Sequence, residues 1–479
     1  MEPASPATTP TTPLKSAGAP TGKVAPQPFD PKAARPVLLV IMFGLIATGF
    51  PFTILTVALN LIADDFGVSE ALSAWTVSAP MLLSAATLPI TGKIGDMYGH
   101  RRVFLWGLLG SSVCAGLCVI AWDIWSLIGL RVLTMILAGA TAPASIALLF
   151  QVYPEEHRNQ AVGWWSMTGP GSAALGLAIG GPFVDFLGWP SVFVVQAVIG
   201  ITAWAFAVRL LPETPSRPAK FDPLGNVLLI VSLTCLLFLI GSLAEASVSL
   251  SLRMTLAFAG VVGLGAFFYT QQFSAGPIVP LEFFKHRNFS GPVAVNFLVQ
   301  APYTGALVAT PIVFMTYLDF SVTFAALFIL VRTASLTVAS PLGGRVATLY
   351  GERMAALIGI AVQSVGLLLV GAGAALGNVP LLALGLALQG IGHGLVLPPM
   401  TSIISTAVPP ESFGSGSGVL RLAGQIGSSF GLSMFGVLLS LEGTKLDPLT
   451  LFALGAFITI LALVPAFLVV PRPRRPVRL

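Results

Sequence analysis

The chain has 479 residues, of which 55% are hydrophobic and only 9% charged, and its mean hydropathy is +0.90. That composition excludes an ordinary soluble domain and puts the chain in a bilayer. A formal net charge of +5 does not call for a nucleic-acid partner when the basic residues sort to one side of a membrane.

Residues 1–36, MEPASPATTPTTPLKSAGAPTGKVAPQPFDPKAARP, are rich in Pro, Thr, Ala and Ser and contain no apolar run. They are expected to form a disordered cytoplasmic tail, and no secretory h-region is present. Fourteen apolar stretches follow, each of about 20 to 26 residues and long enough to cross a hydrocarbon core of about 30 Å as a helix. They fall at 37–62, 70–91, 103–122, 124–150, 160–183, 190–211, 224–245, 252–273, 290–315, 322–343, 353–376, 380–405, 416–440 and 449–470. Residues 471–479, PRPRRPVRL, make a short basic cytoplasmic tail. The expected fold is an all-α membrane protein with 14 transmembrane helices.

Orientation follows from Lys and Arg. With a cytoplasmic amino terminus, nineteen of the 24 basic residues fall on the cytoplasmic side, Lys93, Arg101, Arg102 and Arg345 among them. Arg253 and Lys445 fall outside. That asymmetry predicts a multi-pass protein of the plasma membrane with both termini in the cytoplasm. Cys114, Cys118 and Cys235 all sit within predicted spans and read as small apolar packing residues.

An internal repeat joins the two ends of the chain. GKIGDMYGHR, from Gly92, recurs weakly as GRVATLYGER, from Gly344, at an offset of 252. A second alignment, at an offset of 255, pairs Pro143 with Pro398, Gly163 with Gly418 and Gly176 with Gly431. Two pseudo-symmetric six-helix bundles, 37–211 and 290–470, are therefore expected, with a linker and two extra helices inserted at 212–289. Duplicated halves in a membrane protein suggest a transporter that rocks one bundle against the other around a midplane site.

The Gly-Lys-x-x-Asp-x-x-Gly-x-Arg pattern at Gly92 to Arg101, between the second and third spans, resembles the cytoplasmic signature of the major facilitator superfamily. Further matches are TVALNLIADDFGVS, FDPLGNVLL, PLEFFKHRNFS, LQGIGHGLVLPP and GSGSGVLRLAGQIGSSFG. Together they resemble the fourteen-helix drug:proton antiporter branch, from residue 37 to 470. The resemblance implies that the loop is a gate, with Gly92, Lys93, Asp96, Gly99, Arg101 and Arg102 as its elements. In that family the aspartate meets the other half near the start of its fifth helix, and the arginines pair with acids or carbonyls at helix ends. A carboxylate at a helix N-terminus gains from the dipole, and glycines allow close approach.

Several positions depart from the branch. Pro51 stands where an aspartate is usual in the first span, and Gly176-Leu177 replaces the usual Gly-Pro of the fifth. The fourth span keeps Arg131 but has Thr134, Met135 and Leu137 where Gln, Gly and Gly are usual. In the thirteenth, the arginine position falls on Gly424, with Arg421 nearly one turn earlier.

All 19 acidic residues lie in tails, loops or span ends, whereas Arg131, Arg332 and Arg421 lie inside spans. At about 1.5 Å per residue, Arg332 is roughly 15 Å from both ends of its span. Arg421 is roughly 10 Å from the cytoplasmic end and Arg131 roughly 12 Å from the outer one, near snorkelling reach. A central arginine costs about 2.5–3.5 kcal/mol even on the mild insertion scale, and the sequence offers Arg332 no acid. It either bonds to carbonyls and polar side chains of facing helices or serves as a cavity cation for the substrate. For Arg131 the resemblance implies proton coupling or gating; an interfacial structural role is the alternative.

His393, in GIGHG, either carries a proton near neutrality or is hydrogen-bonded between helices. Its neighbouring glycines read as a close-packing surface, because no strand precedes them to make a nucleotide loop. Asn296, Gln300 and Tyr303 share one helix face, which the family's geometry turns toward the cavity; polar packing explains them equally well. Trp75, Trp164 and Trp165 line the cavity or its rim, or simply pack.

The sequence holds no paired-carboxylate, Cys/His metal or nucleophile–base pattern, so no enzyme, cofactor or metal is expected. The favoured function is proton-coupled efflux of amphipathic small molecules or drugs by alternating access. An importer or lipid-handling facilitator without proton coupling, or a non-transporting membrane scaffold, is the alternative. With basic residues and no deep acid in the spans, the substrate is expected to be a neutral or anionic amphiphile. A coupled proton would have to use Asp96, Asp123, Asp319 or His393.

Overall fold

A computed structural model describes residues 31–51, 55, 58–216, 222–243, 248–274, 276–278, 281–440 and 447–470. Residues 1–30 and 471–479 of the two predicted tails, and the loop cations Arg217, Lys220 and Lys445, lie outside the described residues. Every regular element among the described residues is helical.

The chain runs through α1 (Pro31–Gly49), α2 (Leu59–Phe66), α3 (Glu70–Ser73), α4 (Trp75–Tyr98), α5 (His100–Cys118), α6 (Ile124–Val152), α7 (Glu155–Ser166), α8 (Thr168–Leu187) and α9 (Pro190–Leu210). It continues with α10 (Pro223–Ser242) and α11 (Leu250–Phe273), then α12 (Arg287–Leu318), α13 (Val322–Tyr350), α14 (Glu352–Leu376), α15 (Val379–Ile403), α16 (Phe413–Ser440), α17 (Pro448–Leu461) and α18 (Leu463–Leu468).

Local chemistry sets the ends. Asp123 and Ser126 form a capping box at the start of α6, with the Ser126 amide donating to Asp123 Oδ1 at 2.8 Å. Asp222 caps α10 through the Gly225 amide, 2.9 Å away. Its other oxygen accepts from Gln271 Nε2 of α11 at 2.7 Å, so the FDPLGN stretch ties the two helices of that hairpin together. Gly99 after α4 and Gly351 after α13 hold φ of 95° and 92°, a region that L side chains rarely enter. They stand 252 residues apart.

Ten helices among the described residues are long and apolar enough to cross a membrane. The other four predicted spans fall on α4, α5, α8 and α13. Composition dilutes some of these: α4 carries Pro80, Pro89 and several hydroxyls, and α5 opens on His100, Arg101 and Arg102.

Boundaries shift for identifiable reasons. Helix α1 runs from Pro31, six residues before its predicted span. The predicted span 160–183 is two helices, broken at Met167 ahead of Pro170; the span at 449–470 breaks at Ala462 ahead of Pro465. A proline ring crowds the carbonyl four residues back and offers no N–H. The first span is likewise interrupted, at Phe50 just ahead of Pro51: α1 ends at Gly49, and Pro51 and Leu55 are helical again.

Packing gathers the helices into two groups. In one, α5 and α4 pack on α6, and α9 packs on α5 and α1; in the other, α14 and α13 pack on α15, α12 on α16 and α17 on α14. Gly359 and Gly366 of α14 face the backbones at Gly392 and Gly385 of α15, the small-residue contact that lets membrane helices approach closely. The hairpin of α10 and α11 lies beside both groups, with α10 against α4 and α16.

Candidate functional site

A cavity of about 580 Å³ lies between the two groups, walled by α1, α4, α6, α7 and α8 on one side and by α12, α13, α15 and α16 on the other. That size suits a small organic ligand. Arg332, His393, Arg421, Asn296, Gln300 and Tyr303 all line it, and no carboxylate does so among the described residues.

Tyr303 organises one wall. Arg332 is 1% exposed; its Nη2 donates to the Tyr303 carbonyl at 2.6 Å and its guanidinium lies 3.7 Å from the Tyr303 ring centre. The His393 ring stacks on the same tyrosine at 3.8 Å with a 14° tilt. His393 Nδ1 is 3.2 Å from Gln363 Oε1, and Gln363 Nε2 donates to the Val299 carbonyl at 3.0 Å. Four helices, α12 to α15, are thus joined through Tyr303 and Gln363.

Arg421, by contrast, is exposed inside the bundle because it faces the cavity; its guanidinium lies 5.5 Å from the Trp165 ring centre. Asn296 donates to the Leu420 carbonyl at 2.7 Å, and a side chain at Gly424 would press on Asn296. Gln300 reaches Thr304 at 3.5 Å, and Thr304 bonds Ser428 at 3.0 Å.

Trp75, Arg131 and Trp164 lie off the wall. Trp75 is not on the cavity wall: it stacks on Phe238 of α10 with ring centres 5.4 Å apart, since its position at the start of α4 turns it to the inserted hairpin. Arg131 is 1% exposed, yet also off the wall, with Nε donating to the Thr76 carbonyl at 3.3 Å and its guanidinium 5.5 Å from the Phe193 ring. Of the carboxylates named from sequence, Asp123 caps α6 and Asp319 ends α12 as an exposed left-handed residue.

At the end of the molecule carrying the Gly92 loop, Asp96 crosses to the other group. Its Oδ1 accepts from the Gly414 amide at 2.8 Å, and its Oδ2 accepts from the Ser415 amide at 2.9 Å and hydroxyl at 2.5 Å. Those are first-turn donors of α16, which no intrahelical carbonyl satisfies. His100 Nε2 lies 3.3 Å from the same carboxylate. A Cβ on Gly92 would collide with the Gly414 carbonyl, which is why a glycine stands there.

The same contact is written a second time. Gly344 meets the Asn159 carbonyl of α7, Gly163 meets Ser340 and Pro341, and Gly418 meets Leu88 and Pro89. Every pair maps onto its counterpart by the offsets 252 and 255. The acid has moved, however: Thr348 stands at the place of Asp96, and Glu352, at the place of His100, accepts from Asn159 Nδ2 at 3.0 Å. Sequence reasoning passed over His100, Asn159 and Glu352, although the offset that pairs Tyr98 with Tyr350 also pairs His100 with Glu352.

Arg101 stays within its own group. It pairs with Glu213, donates to the Val208 carbonyl at 2.6 Å, and its amide donates to Thr214 Oγ1 at 3.1 Å. Gly99 abuts Thr214. Lys93 and Arg102 make no hydrogen bond or ion pair to the other group among the described residues.

Comparison with known proteins agrees with this architecture. The chain is 26% identical over 409 residues to the Tetracenomycin C resistance and export protein of Streptomyces glaucescens, covering 85% of this chain and 76% of that protein. It is 28% identical over 411 residues to the Drug efflux pump JefA of Mycobacterium tuberculosis, covering 85% and 80%. Among solved structures, the human organic anion transporter MFSD10 (TETRAN) superposes with a TM-score of 0.67 at 18% identity over 93% of this chain and all of that one. The proton:xylose symporter XylE does so with a TM-score of 0.63 at 12% identity, over 90% and 95%; likenesses at these identities speak to the fold. The Major Facilitator Superfamily model matches residues 41–294 and 292–479, nearly the whole chain, and this protein therefore belongs to that superfamily as a multi-pass membrane transporter and not an enzyme.

Proposed function

We propose that this transporter exports amphipathic small molecules across the plasma membrane by alternating access, with fourteen crossings and both termini in the cytoplasm. The observation that carries the reading is the cavity between two helix groups that are drawn together at the loop end by Asp96 and the paired glycine contacts. Parting there and closing at the far end would present one cavity to the other side. Lys93, Arg101, Arg102 and Arg345 gather at the loop end, which supports its cytoplasmic placement. Bundles at 37–211 and 290–470, with the α10–α11 hairpin inserted, are the rigid bodies of this cycle. Relatives named for drug resistance and export support efflux as the direction.

Proton antiport is part of the proposal, with Asp96 as the acid whose neutralisation releases α16. A second reading, a facilitator or importer without coupling, draws on the cavity wall without a carboxylate and on Pro51 in the first helix region. Dye flux in proteoliposomes tests both. Accumulation that follows an imposed pH gradient is the expected result; equal rates in both directions without a gradient identify the facilitator. No flux above empty liposomes rejects transport of such dyes.

A further inference from the structure

Buried polar groups in this molecule are mostly partnered, which makes the exceptions informative. Arg332 is an exception on the cavity wall: apart from the bond from Nη2 to Tyr303, its Nε and Nη1 have no partner among the described residues. Arg421 stands on the same wall, open to the cavity, with an aromatic ring beside it and no acid. Both cations belong to the group formed by α12 to α18. Across the cavity, the opposite wall offers small hydroxyls and apolar surface, including Thr48, Ser84, Met81, Met135 and Ala138.

Two guanidinium groups on one face of a cavity inside a bilayer set up a positive field that water screens poorly. No carboxylate among the described residues on the wall neutralises it. Guanidinium donors in a planar fork match the two oxygens of a carboxylate or sulfonate, and Arg332 still holds unused ones.

We infer that the cavity receives an amphiphile bearing one carboxylate or sulfonate, with the anionic group on Arg332 and Arg421 and the apolar body against α1, α4 and α6. The inference rests on the transport reading above for its physiological meaning, though binding itself stands apart from it. Tyr303 is a positioning residue in this scheme: its carbonyl and ring fix the Arg332 head, and its stack on His393 fixes the tyrosine.

The test uses full-length protein in detergent and three probes with one aromatic body: 1-naphthalenesulfonate, 1-naphthamide and trimethyl-1-naphthylammonium. A ligand that binds the folded state raises its melting temperature as concentration passes Kd. Naphthalenesulfonate should stabilise the protein most. Arg332→Gln and Arg421→Gln should each weaken that binding by about tenfold or more, the scale of one lost charge-assisted contact. Arg332→Lys keeps the charge without the fork and should retain the order of the three probes at weaker affinity, which guards against reading a folding defect as lost binding.

Equal stabilisation by the ammonium or amide probe, or a sulfonate effect that survives both glutamine variants, overturns the inference. So does equal stabilisation by sodium chloride at the same concentration, which would make the wall an inorganic anion site. Flux of the three probes in proteoliposomes separates the two claims. Stabilisation by the sulfonate without flux of any probe refutes the transport reading and leaves anion binding standing; flux of the ammonium probe alone refutes anion recognition and leaves transport standing.

Discussion

Replacing Asp96 with asparagine should open the loop end, and the structure sets the size of the effect. The carboxylate, whose side chain is 6% exposed, accepts three hydrogen bonds at 2.5–2.9 Å from Gly414 and Ser415. Bonds to a charged group contribute about 1.5–3 kcal/mol each. Asparagine can keep one acceptor, but its NH₂ then faces the donors of Ser415. A net loss of about 3 kcal/mol lowers the closed-to-open ratio roughly 150-fold. Tyr98 and Tyr350, 57% and 58% exposed, stand at equivalent places on the two groups and suit paired spin labels after Cys114, Cys118 and Cys235 are removed. The distance distribution should gain a longer component in the variant and lie near a single short distance without it. An unchanged distribution, in a variant that melts like the parent, would refute the claim that Asp96 holds this end shut.

Gly344→Val should lengthen the same label distance, because its side chain falls on the Asn159 carbonyl and blocks the second contact; a normal short distance would count against it. Gly431→Val drives a side chain into the Ala301 carbonyl of α12, and overpacking of this kind costs about 1–3 kcal/mol, so the melting temperature in detergent should fall. Asp222→Ala removes the α10 cap and the tether to Gln271, a loss of about 1–2 kcal/mol that should appear as faster hydrogen exchange in residues 224–226 and at Ile278, whose amide donates to Gln271. His393→Leu strands the Gln363 carbonyl oxygen and should destabilise by about 1–3 kcal/mol, while Gln363→Leu added to it should restore part of the loss in a double-mutant cycle.

Hydropathy placed a described helix at each apolar stretch, ten of these helices being long and apolar enough to cross a membrane. It could not see the breaks at Met167 and Ala462, since a local backbone clash at Pro170 or Pro465 scarcely alters a window average. The repeat offsets were readable from glycines and from Tyr98 and Tyr350, yet the exchange of acid between Asp96 and Glu352 was hidden by looking for the same residue type twice. Arg332 was legible as an anomaly by depth, whereas its partner was not: a backbone carbonyl and a ring face leave no charge pattern in sequence. Trp75 illustrates the opposite failure, an aromatic residue whose neighbour on α10 is set by the path of the inserted hairpin.

That hairpin makes the two flanks of the transporter unequal. Helix α10 touches α4 and α16, one helix from each group, and Trp75 is stacked against it. On the opposite flank α8 meets α13 directly. The seam between the groups is therefore braced by a third helix where α4 meets α16, an asymmetry that the repeat of the two groups does not itself contain.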